Sequence, residues 1–399
     1  MRRSLAFLAF LVMGCGETFS AQTGSGSGGG GSGAGGATAA AGAGGETSTA
    51  SPAGGSGGSG AAGGAGAAGG SGGGQTYGET ECDVPTGISL DIASPTCAAG
   101  TTGCVADWAG AFGQPGHVDG EAGAARFVGL YGIAVGETYA YVTTAHAVRR
   151  IHLETGVVET VAGSTKAGND DGTGEDATFH CPRGIALGEG ALFVADHGNG
   201  SVRRIDLDSG QVTTLPAPFV GPNHLFVRGG MLHVTGTSDV RRFDLETELT
   251  IQFPSDGPPP LNDPGGLAYY AEYDLFYLAD SGNHIVRKIG EGNLGPAQVG
   301  GEPGYLDGSG TGALLRFPRG LIAIENTLLV ADRDNHRIRT ITPVAGYVTA
   351  TLAGNGTTVH QQGVGLTAGI VSPTDLAHHP GSGDLFIAEG TVIRRVHLP

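Results

Sequence analysis

The chain is short of positive charge: 21 Lys and Arg stand against 38 Asp and Glu in 399 residues, a formal net charge of −17. Binding to nucleic acid draws on the opposite balance, so no nucleic-acid partner is expected. Long hydrophobic runs are missing too. The apolar stretch at the start, Leu5 to Met13, is too short to stay in a bilayer as a spanning helix. Cys-x-x-Cys pairs are absent, which removes the usual zinc spacing. Also absent are an Asp-x-Asp-x-Asp-Gly calcium loop, a Ser-His-Asp elbow, a phosphate loop and a haem-attachment motif. No cofactor is therefore expected, and neither calcium nor zinc has a supporting ligand set. Neither a helical period nor a strand–helix–strand alternation runs through the sequence.

What is present divides the chain into parts. Arg2 and Arg3, the run Leu5 to Met13 and then Gly14-Cys15 read as an export signal. Leu11-Val12-Met13-Gly14-Cys15 resembles the bacterial lipoprotein cleavage box. That resemblance implies cleavage before a lipid-modified Cys15, in preference to an ordinary signal peptide cut near Ala21. Gly16 in place of Asp implies the outer membrane or cell surface, with the periplasm as the alternative and a lipid anchor as the one membrane contact. Residues 1–21 are thus expected to be signal and the start of a tether. Residues 22–78 are expected to be a disordered Gly/Ala/Ser linker, with a coil span of roughly 40 Å across its Gly-rich part. A Cys-containing lead-in follows at 79–103, and one folded domain at 104–399. Cys82, Cys97, Cys104 and Cys181 suit disulfides in an exported chain. Their pairing is open, with one bridge expected among the first three.

Six copies of a hydrophobic-Arg pattern recur with a period of 40 to 55 residues, from Val148-Arg149-Arg150-Ile151 to Ile393-Arg394-Arg395-Val396. Such a period signals a solenoid, a propeller or an array. Short β-branched segments separated by turn residues supply four strands per repeat, which predicts an all-β, six-bladed β-propeller. Each blade opens on a tetrapeptide: Leu130-Tyr131-Gly132-Ile133, Pro182-Arg183-Gly184-Ile185, Pro222-Asn223-His224-Leu225, Pro264-Gly265-Gly266-Leu267, Pro318-Arg319-Gly320-Leu321 and Pro373-Thr374-Asp375-Leu376. After the last of these the chain holds only three strands. Cys104-Val105-Ala106-Asp107-Trp108-Ala109-Gly110 matches the fourth-strand endings, so this N-terminal strand is expected to close the ring and leave no free edge.

Val194-Ala195-Asp196-His197-Gly198-Asn199, Leu278-Ala279-Asp280-Ser281-Gly282-Asn283-His284-Ile285 and Val330-Ala331-Asp332-Arg333-Asp334-Asn335-His336 resemble the NHL repeat family. So do the loops at Asp171-Gly172 and Asp307-Gly308, with looser copies at Asp119-Gly120 and Gln362-Gly363, each the same distance before its blade-start tetrapeptide. The resemblance covers about residues 104 to 399. It implies a propeller, and a function that ranges over scaffolds, RNA binders, receptor ectodomains and a lyase.

Arg149, Arg203, Arg241, Arg287, Arg339 and Arg394 recur at one place per blade, opposite Asp196, Asp280, Asp332 or Glu389 in the preceding strand. Buried arginines need carboxylate partners, so this set is read as structural. Asn199, Asn283 and Asn335 are read as turn residues, and Asp119, Asp171 and Asp307 as turn caps. The ligand site is expected at the axial mouth, formed by Tyr131, Arg183, Asn223, His224, Arg319, Thr374 and Asp375. This polar, partly basic rim suits an anionic or sugar-like group. His224 and Asp375 come from opposed blades and are expected to lie too far apart to share an ion. The expected role is a monomeric binding scaffold for a protein, peptide or glycan. The alternative is a metal-dependent hydrolase or lyase of gluconolactonase or amidating-lyase type, with its site at the axis.

Overall fold

In the computed structural model, the described residues are 101–253, 259–290 and 293–398, together with Cys82 and the backbone of Ser89–Leu90. The expected signal peptide, Cys15, the linker and Cys97 lie outside them. Six antiparallel sheets form the six blades. Blade one runs from its innermost strand Ile133–Val135 through Tyr139–Thr143 and Ala147–His152 to Val158–Gly163. The other blades repeat this order, with innermost strands at Ile185–Gly188, His224–Arg228, Pro264–Tyr270, Pro318–Ile324 and Asp375–His379. Pairing is regular along the ladders of blades two and three, for example Ile185 opposite Val194 and Val202 opposite Ala195, and is interrupted by register shifts in blades one, four, five and six.

Why these sequences become blades is visible in where their side chains go. Each sheet is covered on both faces by neighbours, so the second strands are buried at every position, Ala191–Asp196 and Asp384–Glu389 alike, and are apolar except for the carboxylates at their ends. The core is accordingly a circle of six interblade layers. One joins Tyr141 and Val148 to Leu192 and Ile205; the next joins Phe193 and Val202 to Leu232 and Phe243. The layer between blades six and one holds Phe386 and Ile393 against Ile133 and Val142.

That last layer exists because the two ends of the domain meet. Strand Cys104–Gly110 pairs antiparallel with Val392–His397 at the outer edge of blade six. Trp108 packs on Phe386 with ring centroids 4.6 Å apart. Blades two, five and six gain a further two-residue strand from the loop that leads into them, Gly172–Thr173, Gly308–Ser309 and Gly363–Val364. Blades one, three and four have four strands only, and in blade one the lead-in loop still touches the outer strand through a single bridge between Gly120 and Val158.

Each strand arginine is an internal bolt. Arg149, Arg203, Arg287, Arg339 and Arg394 have no exposed surface, while Arg241 is partly exposed and pairs with Asp239 at 2.7 Å. Arg203 lies 3.0 Å from Asp196, Arg287 2.9 Å from Asp280 and Arg339 2.7 Å from Asp332. Asn199, Asn283 and Asn335 donate to the same three aspartates, at 2.8, 2.9 and 2.8 Å. The loop aspartates do more than cap turns, which corrects the sequence expectation. Asp171 and Asp307 reach the far side of the same guanidinium at 2.6 and 2.7 Å, and Asp119 pairs with Arg149. Each arginine therefore ties its own sheet to the loop that leads into it.

Blade six departs from this plan in an informative way. Its loop carries Gln362 where the others have aspartate, and the missing carboxylate comes from the closing strand: Asp107 Oδ1 lies 2.8 Å from Arg394 Nε. His360 sits between the two ends, with Nε2 3.0 Å from Asp107, Nδ1 2.9 Å from Glu389 and its ring stacked on Phe112. Burial alone would lower the imidazole pKa, and Arg394 pushes the same way; hydrogen bonds to Asp107 and Glu389 and the charge of Glu389 outweigh both and raise it. A group whose folded pKa is raised stabilises most below its unfolded value of about 6.5 and loses that contribution as pH rises through the folded value. The expected result is that the stability difference between wild type and His360→Ala shrinks from pH 6 to pH 8.5, measured by urea unfolding. His197 and His233, both lowered to about 4 by burial first of all, act with the opposite sign, so only this difference isolates His360.

Candidate functional site

The innermost strands start so close to the axis that side chains barely fit. A Cβ built on Gly266 would lie 2.4 Å from the Leu321 amide nitrogen, and one on Gly184 would lie 2.6 Å from the His224 Cα. The third tetrapeptide position is thus glycine wherever adjacent backbones touch. Two blades carry a side chain there instead, His224 and Asp375, and the space at the axis takes both. His224 Nε2 lies 3.6 Å from Asp375 Oδ1. This corrects the expectation that opposed blades hold them too far apart: the ring is tighter at its axis than strand counting suggests. Asp375 is held in place by the amides of Ile133 and Leu376, at 3.0 and 2.9 Å. His224 Nδ1 is buried and has no hydrogen-bond partner.

The pair forms the floor of an open funnel at the axis. Its walls come from every blade: Tyr131, Arg183, Asn223, Arg319 and Thr374, with the glycines of blades one, two and four between them. All seven residues singled out in the sequence as the mouth line this one space. His180, His378 and His379 do not.

A polar chain fixes the wall. Arg183 donates to Asn223 Oδ1 at 2.7 Å, Asn223 donates to Asp263 Oδ1 at 2.7 Å, and Arg319 donates to Asp263 Oδ2 at 2.9 Å. The two guanidiniums also lie over aromatic rings, Arg183 over Tyr131 and Arg319 over Phe317. Loss of solvent lowers the Arg319 pKa to about 10; Asp263 opposes the shift, while Arg183 and Arg333 add to it. It remains a cation at neutral pH. Asp263 is the member that sequence reading missed. It stands outside the tetrapeptide, and its partners lie 40 and 56 residues away.

The residue before each tetrapeptide is left-handed in all six blades: Gly129, Cys181, Gly221, Asp263, Phe317 and Ser372, with φ between 47° and 60°. Four of the six are not glycine and so carry a conformational cost. The turn of the preceding blade holds them there: the amides of Phe317 and Ser372 donate to His284 Nδ1 and His336 Nδ1 at 3.1 and 3.0 Å. Burial lowers both histidine pKa values and so favours the neutral, accepting form. Strain of this kind rings the funnel.

No family model matches the chain. Among curated proteins, NHL repeat-containing protein 2 of Homo sapiens is 29% identical over 279 residues, covering 54% of this chain and 38% of that protein. Protein SUPPRESSOR OF QUENCHING 1, chloroplastic, of Arabidopsis thaliana is 34% identical over 154 residues, covering 36% and 14%. The chain spans less than two-fifths of the length of these relatives. Among solved structures, a structural genomics protein of unknown function from Bacteroides thetaiotaomicron superimposes with a TM-score of 0.63 at 21% identity, over 73% of this chain and 75% of that one. An auxiliary nutrient binding protein from Bacteroides ovatus does so with a TM-score of 0.61 at 16% identity, over 73% and 76%.

Proposed function

We propose that this chain, an NHL-repeat protein with a six-bladed β-propeller, is the binding module of an exported lipoprotein and takes its ligand in the axial funnel. One observation carries the reading: Tyr131, Arg183, Asn223, His224, Arg319, Thr374 and Asp375, drawn from five blades, converge on a single open space. A rigid ring with a polar, aromatic-lined concavity is what a small ligand or a protruding group needs. The two guanidiniums suit a carboxylate or the hydroxyls of an acidic sugar, presented free or on a peptide or glycan. The Cys82–Cys181 bridge supports an oxidising compartment, and the sequence around Cys15 supports lipidation and placement at the outer membrane or cell surface.

Thermal unfolding of the full chain against carboxylates, acidic and neutral sugars and short peptides is the direct test. Compounds that stabilise wild type should bind Arg183→Ala/Arg319→Ala at least about tenfold more weakly, since a hydrogen bond to a charged group contributes about 1.5–3 kcal/mol. Equal affinity would overturn the funnel assignment.

The 3.6 Å approach of His224 to Asp375 gives the metal-dependent hydrolase or lyase reading its one support. Among the described residues this floor offers two ligating side chains, and a catalytic zinc site uses three. Stoichiometric zinc or calcium in purified protein, lost in His224→Ala, would favour the enzyme.

A further inference from the structure

Outside the funnel, one cluster has the chemistry of a different site. Cys82 and Cys181 are joined, with Cα atoms 5.4 Å apart. His146, in the turn between the second and third strands of blade one, presents a ring nitrogen so that its ligand atom and the two sulfurs all lie within 4.8 Å of one another. Among the described residues no other group of three His, Cys, Asp or Glu side chains comes this close. All three are partly exposed, so a reductant can reach them.

His146 has no evident task in the bridged state. Its Nδ1 is buried and has no hydrogen-bond partner, an arrangement that calls for a reason. Burial, with a smaller push from His180, lowers its pKa, so at neutral pH the imidazole keeps a free lone pair. The backbone around it is already fixed, since the Cys181 amide donates to the Ala145 carbonyl at 3.0 Å.

We propose that Cys82, Cys181 and His146 form a redox-gated site for a thiophilic divalent cation such as zinc, closed by the disulfide and opened by its reduction. A dithiol donates two electrons and two protons to the S–S bond and leaves as its own disulfide, giving two protein thiols. The cation then displaces both thiol protons, binds the two thiolates and accepts the imidazole lone pair. Zinc prefers four ligands with Zn–S near 2.3 Å and Zn–N near 2.0–2.1 Å, so the sulfurs separate modestly. Water takes the fourth position, or His180, whose ring centroid lies 6.0 Å from that of His146. The lead-in stays pinned to the rim at Cys181 in either state, by a covalent bond or by a metal. This reading stands independently of ligand binding in the funnel.

The experiment titrates Co²⁺ into the full chain, oxidised and after reduction with a phosphine, without oxygen. Reduced wild type should take up one equivalent with a thiolate-to-cobalt charge-transfer band that zinc abolishes, and oxidised wild type should show none. His146→Ala should weaken Co²⁺ at least about tenfold, because even outer-shell partners of metal ligands contribute 10–100-fold, and Cys181→Ser should lose the band. If the reduced chain loses its thermal transition, zinc should restore it for wild type and not for Cys181→Ser. No band from reduced wild type, a band that persists in Cys181→Ser, unchanged affinity in His146→Ala, or no recovery on adding zinc would each overturn the proposal.

Discussion

Arg394→Ala should lower the free energy of unfolding by about 3–5 kcal/mol, the range found when one partner of a buried ion pair is removed. Arg394 and Glu389 are both fully buried, and Nη1 donates to Glu389 Oε2 at 3.2 Å. The guanidinium also donates to the carbonyls of Gly369 and Gln361, at 3.1 and 3.0 Å, and faces Asp107. Alanine takes the guanidinium from Glu389, leaving it buried with only His360 beside it, and removes the second donor from two carbonyls that otherwise pair with each other's amides. Arg203→Ala should cost a similar amount, since it leaves Asp196 buried in the same way. The two variants should differ in one respect. Arg394 connects the carboxyl-terminal strand to the strand that closes the ring, so its loss should loosen blades six and one first, seen as faster amide exchange in Cys104–Gly110. Urea unfolding of both variants checks the magnitude, and losses below about 1 kcal/mol would refute the buried-bolt account.

A larger effect is expected from removing the closing strand. A chain starting at residue 111 keeps three strands of blade six, Asp375–His379, Asp384–Glu389 and Val392–His397. It loses Ala109 and Trp108 from the layer between blades six and one and bares a ladder edge. It also loses Asp107, the carboxylate that stands in for the one missing from the blade-six loop. In a ring, each interblade layer depends on the next being formed. Loss of a cooperative thermal transition, with aggregation, is therefore the expected outcome, whereas a chain starting at residue 75 should melt as the full chain does. Equal melting of the two truncations would mean that the ring does not need its amino-terminal strand.

The fold was readable because its rule repeats. Tetrapeptide, arginine and turn recur in register, so six blades and the closing strand follow from counting strands. The mouth was readable for the same reason: residues that lie before equivalent strands must end on one face around the axis. What a repeat cannot show is how far apart non-equivalent residues sit. His224 and Asp375 meet because glycine in the other blades lets the backbones close in, and that radius is a packing result. Asp119, Asp171 and Asp307 look like turn residues until their arginines, some 30 residues away, are placed beside them. The Cys82–Cys181 bridge spans 99 residues and follows no repeat at all. Asp107 was legible as part of a strand, but its role depends on what Gln362 fails to supply.

The central claim is that ligand enters at the axis and not along the bare outer edges of blades three and four. Hydrogen–deuterium exchange of the full chain, with and without the most stabilising compound from the thermal panel, tests it most directly. The account predicts protection at the starts of the innermost strands, around residues 131–133, 183–185, 223–225, 319–321 and 374–376, and none in Thr250–Gln252 or Asn293–Gly300. Protection confined to those two outer strands, with the inner starts unchanged, would contradict it.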